Sequence, residues 1–476
     1  RQRQMCIRDS KGRYLIETSG RYDGSSKFPV NEMWGFFPSA SAAWRISEEK
    51  FMEGTRSWLD NLKLRFSVGA LGNGNVDPYK FLPTMSIDKT GVIVGDGQVN
   101  YTSYPGLIPN NLTWEKVTTY DVGVDVDMFK NRLTIGFDWY RRNTTDMYTV
   151  GPTLPEVLGT TQPKGNYANL KTKGWELILS WRDNFKLAGS DFHYGVKFML
   201  WDSQSWITKY NNATGKLSDY YEGYRIGDIW GYNIEGLFTS YDEIANHADQ
   251  DYIKISDSKI WQPGDLKFAD LNGDGKIDKG AQTLSDHGDL VIVGNEEERY
   301  HYGFNLNVGW KGIGISAFFQ GVGKRDWYPG QETGFFWGKY NRPYGYSLKM
   351  HENRWTEENP NPNAYWPRLV GYSSENGGRP MGTPNNRYMQ DASYLRLKAL
   401  TVDYSLPQAW VSKLGLTGLK IYFTGENLFT FSNICENFDP EVIKGGDVDL
   451  KDRKGEEQGY SYPMLKTYTV GLNVSF

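Results

Sequence analysis

Apolar and polar residues alternate at every second position over long stretches of the chain. Between residues 120 and 128 one set is apolar and the other is rich in acid: Tyr120, Val122, Val124, Val126 and Met128 against Asp121, Gly123, Asp125 and Asp127. Alternation of period two predicts a β-strand whose two faces meet different surroundings. Burying three aspartates in a soluble core would be costly, whereas a water-filled lumen behind a lipid-facing wall accommodates both sets.

The same pattern recurs along the chain. It is most regular between residues 300 and 310, where aromatic residues lie at both ends of one set and aliphatic residues in its middle: Tyr300, Tyr302, Phe304, Leu306, Val308 and Trp310. Tyr and Trp prefer the two membrane interfaces, so this order is typical of a strand that crosses a bilayer. We predict strands near 12–22, 34–46, 60–71, 114–128, 132–147, 171–183, 191–206, 299–311, 312–322, 392–406, 416–431 and 465–476.

The connections between these strands alternate in length. The short ones lie near 47–59, 129–131, 184–190, 311–312 and 407–415. The long ones lie near 23–33, 72–113, 148–170, 207–298, 323–391 and 432–464. Short periplasmic turns and long extracellular loops are typical of outer-membrane barrels, whereas a soluble sandwich has no reason to separate them. We therefore predict an all-β fold, a transmembrane antiparallel β-barrel, with the C-terminus in the periplasm.

Composition narrows the alternatives. Mean hydropathy is −0.60, and no window of about 18 uninterrupted apolar residues occurs, which argues against a helical membrane protein. The aromatic content of 15% suits barrel girdles, but a secreted sugar-binding or sugar-cleaving protein can be equally aromatic. The net charge of −4 supplies no basic face for nucleic acid. The two cysteines, Cys6 and Cys435, form no disulfide framework.

The last strand has an outward set that ends on an aromatic residue. This set is Tyr468, Val470, Leu472, Val474 and Phe476, and it opposes Thr469, Gly471, Asn473 and Ser475. Outer-membrane barrels commonly end on an aromatic residue that the barrel-assembly machinery reads. We therefore predict that the outward set, with Phe476 at its end, is the assembly signal.

Several short motifs resemble SusC/RagA-type TonB-dependent outer-membrane transporters. The motifs are Tyr14 to Glu17 leading to Gly20–Phe28, Trp34–Ser39, Ala43–Ile46, Leu64–Asn73, Trp114–Lys116, Gly174–Glu176, Gly425–Leu428 and the terminal Tyr468–Phe476. They occur in the expected order from about residue 12 to the end. Residues 1–10 do not join this pattern, and we expect them to be non-native or unplaced.

The resemblance implies a 22-stranded barrel, of which residues 11–476 would be about twelve C-terminal strands. The plug domain and TonB box of the family are expected to be absent from this chain. Such transporters import oligosaccharides or peptides together with a SusD-like surface lipoprotein, with energy supplied through TonB. The implied location is the outer membrane of a Gram-negative, Bacteroidetes-like bacterium, with lipid and the barrel-assembly machinery as further partners.

One long loop contains a calcium-loop motif. Oxygen-bearing side chains stand at motif positions 1, 3, 5 and 9, which are Asp270, Asn272, Asp274 and Asp278, and the backbone carbonyl of Lys276 would serve at position 7. Position 12 holds Ala281 in place of an acid. The resemblance to the transporters implies that Asp289, just before residues 291–294, could supply this acid. Asp286 is a less favoured replacement. We predict a structural Ca²⁺ site, with Mg²⁺ less favoured. The alternative is a solvated turn held by hydrogen bonds between side chains and backbone.

Aromatic residues crowd the long loops. They are Trp201, Trp206, Tyr220, Tyr221, Tyr224, Trp230, Trp327, Tyr328, Phe335, Phe336, Trp337 and Tyr340. Flat rings can stack on sugars, and Trp230, Trp327 and Trp337 are the candidates for substrate binding. Packing of loop on loop is the alternative for all of them.

No enzyme signature is found. His193, His247, His287, His301 and His351 show no metal-binding spacing, and no nucleophile elbow or phosphate loop occurs. The leading hypothesis is active import by a non-enzymatic transporter. The alternatives are a passive outer-membrane porin and a soluble secreted glycan-binding protein.

Overall fold

A computed structural model describes residues 2–10, 12–109, 112–151, 154–155, 157, 162–253, 260–330, 333–340, 345–370, 381–443 and 461–476. The chain divides into two units. Unit 1 comprises Arg1–Ser180, Trp201–Ala213 and Tyr220–Arg225, and unit 2 comprises Trp181–Leu200, Thr214–Asp219 and Ile226–Phe476. Among the described residues, no helix is both long enough and apolar enough to span a membrane.

Strands dominate both units. They are β1 (Gln2–Ser10), β2 (Tyr14–Gly24), β3 (Trp34–Arg45), β4 (Leu59–Asn73), β5 (Ile87–Val94), β6 (Gly97–Thr102), β7 (Glu115–Met128), β8 (Leu133–Val150), β9 (Lys164–Leu187), β10 (Ser190–Lys209), β11 (Asp228–Gly231), β12 (Ile234–Leu237), β13 (Leu266–Phe268), β14 (Val291–Asn295), β15 (Arg299–Trp310), β16 (Ile313–Lys324), β17 (Asp326–Trp327), β18 (Gln390–Asp391), β19 (Tyr394–Ser405), β20 (Gly418–Ser432) and β21 (Thr467–Ser475). All twelve predicted strands are confirmed, as β2–β4, β7–β10, β15, β16 and β19–β21.

Among the residues that the structure describes, the helices are few and short. They are α1 (Tyr241–Ala245), α2 (Gly334–Trp337) and α3 (Gln408–Val411). Short 3-10 turns occur at Ile46–Glu48, Lys50–Thr55, Asp251–Ile253, Gly338–Tyr340, Lys349–Glu352 and Ser412–Leu414. The fold is therefore all-β, as predicted.

The expectation that residues 1–10 do not join the strand pattern is wrong. The backbone of β1 pairs with β2 along its whole length, from Gln2 opposite Tyr22 to Ser10 opposite Tyr14. A strand at an edge is held by backbone hydrogen bonds, which need no apolar alternation, so the sequence gives no sign of it. The non-native origin of these residues stays a prediction.

In unit 1, the order β1-β2-β3-β4-β7-β8 is antiparallel throughout. The register places one apolar row across five neighbouring strands: Ile16, Ala42, Phe66, Val122 and Trp139. The large members of this row are exposed. A continuous exposed apolar face is what a wall against lipid requires.

The opposite face of unit 1 is charged. The Arg65 guanidinium lies between two carboxylates, 2.8 Å from Asp125 and 2.9 Å from Asp138. Asp127 accepts hydrogen bonds from Asn61 at 3.2 Å and from Thr134 at 2.9 Å. The aspartates that alternate with valines in β7 therefore share one polar face, as the alternation predicts.

Unit 2 repeats this construction in the order β15-β16-β19-β20-β21, again antiparallel. The register aligns a second apolar row: Val308, Ile315, Val402, Phe423 and Val470. On the other face, the Tyr422 ring covers Gly471, where an added Cβ would lie only 2.3 Å from the ring. A glycine beneath an aromatic ring on the neighbouring strand helps to fix the register of a curved sheet.

The connections have the predicted lengths, and several contain structure of their own. The long connection after β4 contains the hairpin β5–β6, whose residues are nearly all exposed. The long connections of unit 2 contribute the two-stranded pairs β11–β14, β12–β13 and β17–β18. They pack into one buried cluster, which the period-two pattern does not indicate.

Candidate functional site

The long connections of unit 2 form a single aromatic core, which we call the loop core. Its fully buried rings include Trp337, Tyr340, Trp366 and Tyr388. Trp366 stacks on Tyr340 at a centroid distance of 5.0 Å and on Tyr388 at 5.2 Å. Residues that lie far apart in the chain thus meet in one packed cluster, and this cluster gives the long connections a fixed shape.

Two of the three substrate-binding candidates belong to this core. Trp327 is 1% exposed and Trp337 is 0% exposed, so neither presents a ring face to a ligand. Trp337 also donates its indole N–H to the carbonyl of Gly330 at 2.9 Å. For these two residues the substrate-stacking prediction is corrected, and packing of loop on loop is the role that the structure gives them.

Trp230 differs from the other two. It lies on the two-stranded pair β11–β14, is half-buried, and packs beside His287 at a centroid distance of 5.5 Å. Because the residue is not fully buried, its substrate role stays a prediction. In unit 1, Tyr220 is 47% exposed and contacts the rings of Tyr210 and Tyr224.

His351 is buried in the loop core as a neutral imidazole. Its Nδ1 accepts the N–H of Leu348 at 2.9 Å, and its Nε2 lies 2.8 Å from the Phe336 carbonyl. These two contacts need one acceptor and one donor, which a neutral ring supplies. Burial is the main cause that lowers the pKa of His351 below its usual value of 6.5.

Acidification is expected to loosen the loop core. As the pH falls below about 6.5 the unfolded loops bind a proton that buried His351 does not, so stability falls by up to about 1.4 kcal/mol per pH unit. Protease resistance of the loops, measured from pH 7.5 to 5 in outer-membrane vesicles, should drop for the parent protein. His351→Gln, which keeps one donor and one acceptor, should show a flatter profile; equal profiles would exclude His351 as the cause.

The calcium-like motif folds as a compact turn held by its own side chains. The Asp270 carboxylate accepts the N–H groups of Gly273 at 2.7 Å and Gly275 at 2.9 Å. Asn272 accepts the N–H of Asp274, and Asp274 accepts that of Lys276. The apolar residue at position 8, Ile277, is fully buried in the loop core. The turn is therefore anchored at one side and exposed at the other.

Asp289 closes this turn from outside the motif. One carboxylate oxygen accepts the N–H of Leu271 at 2.8 Å, and the other accepts the N–H of Asp278 at 2.9 Å. Asp289 is completely buried. Within the described part of the chain, no three His, Cys, Asp or Glu side chains are gathered closely enough to hold a metal ion. The residue types suit Ca²⁺, but their present arrangement is that of the hydrogen-bonded turn.

A buried ion cluster ties the segment after β20 to β19, and sequence reasoning missed it. Arg396 is 3% exposed and binds Asp439 and Glu441, each at 2.5 Å. Lys398 also reaches Glu441, at 2.7 Å. The basic and acidic residues of this cluster are more than forty positions apart in the chain, so no short sequence motif predicts their pairing. The cluster fixes the start of the last long connection.

The terminal strand β21 has the two faces that the sequence predicts. Its outward set, Tyr468, Val470, Leu472, Val474 and Phe476, is exposed throughout. Phe476 accepts a hydrogen bond at its carbonyl from Thr417 Oγ1 at 3.1 Å. Whether this set is read during assembly stays a prediction.

Comparison with known proteins identifies the family. Residues 9–264 match the family model described as TonB dependent receptor-like, beta-barrel. TonB-dependent receptor P3 of Formosa agariphila is 29% identical over 98% of this chain and 44% of its own length. TonB-dependent receptor SusC of Bacteroides thetaiotaomicron is 27% identical over 98% of this chain and 42% of its own length.

A solved structure supports the fold. The RagAB peptide importer in its closed-closed state matches with a TM-score of 0.71 and 22% identity, over 98% of this chain and 46% of that chain. This chain spans less than half the length of the relatives it matches. Since the family model covers more than half of the chain, the chain belongs to the TonB dependent receptor-like β-barrel family, whose members lie in the outer membrane.

Proposed function

We propose that this chain is part of a TonB-dependent transporter that imports oligosaccharides or peptides across the outer membrane. The observation that carries the proposal is the family match over residues 9–264. The two-faced wall and the packed loop core agree with it, because an importer needs both a polar interior and shaped external loops. The transporter is not expected to be an enzyme.

Uptake in the native bacterium tests this proposal. A deletion strain, the same strain complemented with the full-length gene, and the parent would be given labelled oligosaccharide and labelled peptide mixtures, with and without a protonophore. Active import predicts that uptake is lost on deletion, restored by the gene and abolished by the protonophore. Uptake that survives the protonophore would favour the passive porin.

The soluble alternative is tested by cell fractionation. An outer-membrane wall with an exposed apolar face requires detergent for extraction. Recovery of the full-length native protein from the culture medium without detergent would support a secreted glycan-binding protein and contradict import.

We further propose a SusD-like surface lipoprotein as the partner on the long-connection side. The solved structure that this chain resembles is that of the RagAB peptide importer, and SusC is a relative of this chain. The fixed shape of the loop core supports a protein contact, because rigid loops lose little entropy on binding. Co-purification of the full-length protein with the product of a neighbouring SusD-like gene tests this pairing.

Calcium binding remains a proposal for the Asp270 turn. The ion would bind side-chain oxygens of Asp270, Asn272, Asp274 and Asp278 together with the Lys276 backbone carbonyl. These side-chain oxygens now accept hydrogen bonds from backbone N–H groups, so they would have to turn toward the ion. Asp289 would either bind the ion as well or keep its present hydrogen bonds to the N–H groups of Leu271 and Asp278.

Chelation is expected to expose this turn to protease. Chelation with EGTA should increase cleavage near residue 275 several-fold if Ca²⁺ is bound, because the ion's bonds are lost. Asp274→Ala should cleave at the higher rate with or without chelator, and added Mg²⁺ shows which ion is preferred. Identical cleavage of the parent with and without EGTA would contradict an ion and support the hydrogen-bonded turn.

Deletion of Phe476 is expected to lower the amount of assembled protein in the outer membrane. The proposal is that the assembly machinery reads the outward set of β21, which the structure leaves exposed. Heat-modifiable mobility on gels would separate folded from unfolded barrel. Phe476→Tyr, which keeps an aromatic end, is the matched control, and an unchanged folded fraction in the deletion variant would contradict the signal.

A further inference from the structure

The short connection between β19 and β20 carries an exposed apolar patch. It consists of α3 and the 3-10 turn Ser412–Leu414, and it ends at Gly415, whose φ is +72°. Val411 points inward and is fully buried, whereas Trp410 is 60% exposed and Leu414 is 66% exposed. One short turn therefore exposes two large apolar side chains.

This patch continues the apolar face of unit 2. On that face β19 and β20 pair Val402 with Phe423 and Tyr404 with Ile421. The next outward residue, Leu406, donates its N–H to the Leu419 carbonyl at 2.9 Å, immediately before α3 begins. The patch therefore begins where the lipid-facing row of the strands ends.

The far end of the connection is tied to the terminal strand. The backbone N–H of Thr417 donates to the Ser475 carbonyl at 2.8 Å, and the Thr417 hydroxyl donates to the Phe476 carbonyl at 3.1 Å. Phe476 is itself 90% exposed. Two exposed aromatic side chains thus flank the same short turn, on the side of the wall where the C-terminus lies.

Trp has a strong preference for the membrane–water interface, and a neighbouring lysine can reach lipid phosphates. Lys413 is exposed and stands between the two apolar side chains in sequence. We propose that Trp410 and Leu414 form a lipid anchor, which inserts into the interfacial layer of the periplasmic leaflet and holds this end of the wall at a fixed depth. The anchor depends on the outer-membrane location and is independent of transport and substrate.

Depth-dependent quenching tests the anchor in the full-length protein. With Cys6 and Cys435 replaced by Ser, an environment-sensitive fluorophore is placed at Leu414→Cys or at Ser412→Cys, and the protein is reconstituted in phosphatidylethanolamine/phosphatidylglycerol vesicles containing brominated lipid. Ser412 lies in the same turn and is the control, because its hydroxyl donates to the Gln408 carbonyl at 2.8 Å and its side chain therefore turns back onto α3. Trp410→Cys gives an independent second probe of the anchoring face.

The anchor predicts lipid quenching at positions 414 and 410 at least about twofold stronger than at position 412, with iodide quenching in the opposite order. Strong iodide quenching with weak lipid quenching at both 414 and 410 would overturn it. Protection of positions 414 and 410 from iodide in native membranes, together with strong iodide quenching at both in vesicles, would indicate a periplasmic protein on this patch and would also overturn it. Loss of transport activity affects none of these readouts.

Discussion

Trp366→Ala is expected to destabilise the loop core by about 3–5 kcal/mol, the range for removing a large buried aromatic side chain. Trp366 is completely buried and lies within 4.8 Å of the His351 ring centroid and 5.0 Å of that of Tyr340. Its indole N–H also donates to the Met350 carbonyl at 3.0 Å, so the substitution leaves an acceptor unpaired as well as a cavity.

The change should appear in the external loops before it appears in the strands. Limited proteolysis of intact outer-membrane vesicles would show rapid cleavage within 333–370 while the folded barrel persists on gels. Phe335→Ala is the matched control, because Phe335 lies in the same region and is 54% exposed, so it should change stability by no more than about 0.5 kcal/mol. Equal protease resistance of the Trp366 variant and the parent would show that the loop core is not a cooperative unit.

Arg396→Leu is expected to destabilise the segment after β20 by about 3–5 kcal/mol, because it leaves the nearly buried Asp439 carboxylate without its ion-pair partner and leaves Glu441 with Lys398 alone. Asp439 and Glu441 each lose an ion pair, and Thr430 loses the hydrogen bond that Arg396 Nε donates at 2.8 Å. Asp439 also accepts the N–H of Met464 at 2.9 Å, so its release should loosen both ends of the last long connection.

Hydrogen exchange in the full-length protein would measure this release at residues 433–443 and 461–466. Lys420→Leu is the control, since the pair of Lys420 with Asp403 at 2.9 Å is far more exposed and should contribute about 0–1 kcal/mol. A triple variant that adds Asp439→Asn and Glu441→Gln to Arg396→Leu should recover part of the loss. Exchange in the Arg396 variant that matches the Lys420 control would contradict a structural role for the cluster.

The strands could be predicted from the sequence because their residues alternate between an apolar face and a polar face, and this alternation is visible in a short stretch of sequence. Val122 and Asp121 are neighbours in the chain, yet the first lies on the exposed apolar face and the second on the charged face. This contrast repeats every second residue and needs no knowledge of other strands. Residues in β1 lack it, which is why that strand was missed.

The loop core could not be predicted in the same way, because its contacts join residues that are distant in the chain. Trp327 meets Phe438 at a centroid distance of 5.0 Å, across more than a hundred intervening positions. Nothing in the local sequence distinguishes such a buried ring from an exposed one. The aromatic richness of the loops was visible, but the burial of Trp327 and Trp337 required the fold.

The central claim is that alternate residues of the strands face lipid and water, and cysteine labelling along β7 tests it most directly. In the full-length protein with Cys6 and Cys435 replaced by Ser, single cysteines would be placed at Asp121, Val122, Asp125 and Val126 and exposed in native membranes to a membrane-impermeant and a lipid-soluble maleimide. The account predicts that the impermeant reagent labels positions 121 and 125, and that the lipid-soluble reagent alone labels positions 122 and 126. Equal labelling of all four positions by the impermeant reagent would contradict it.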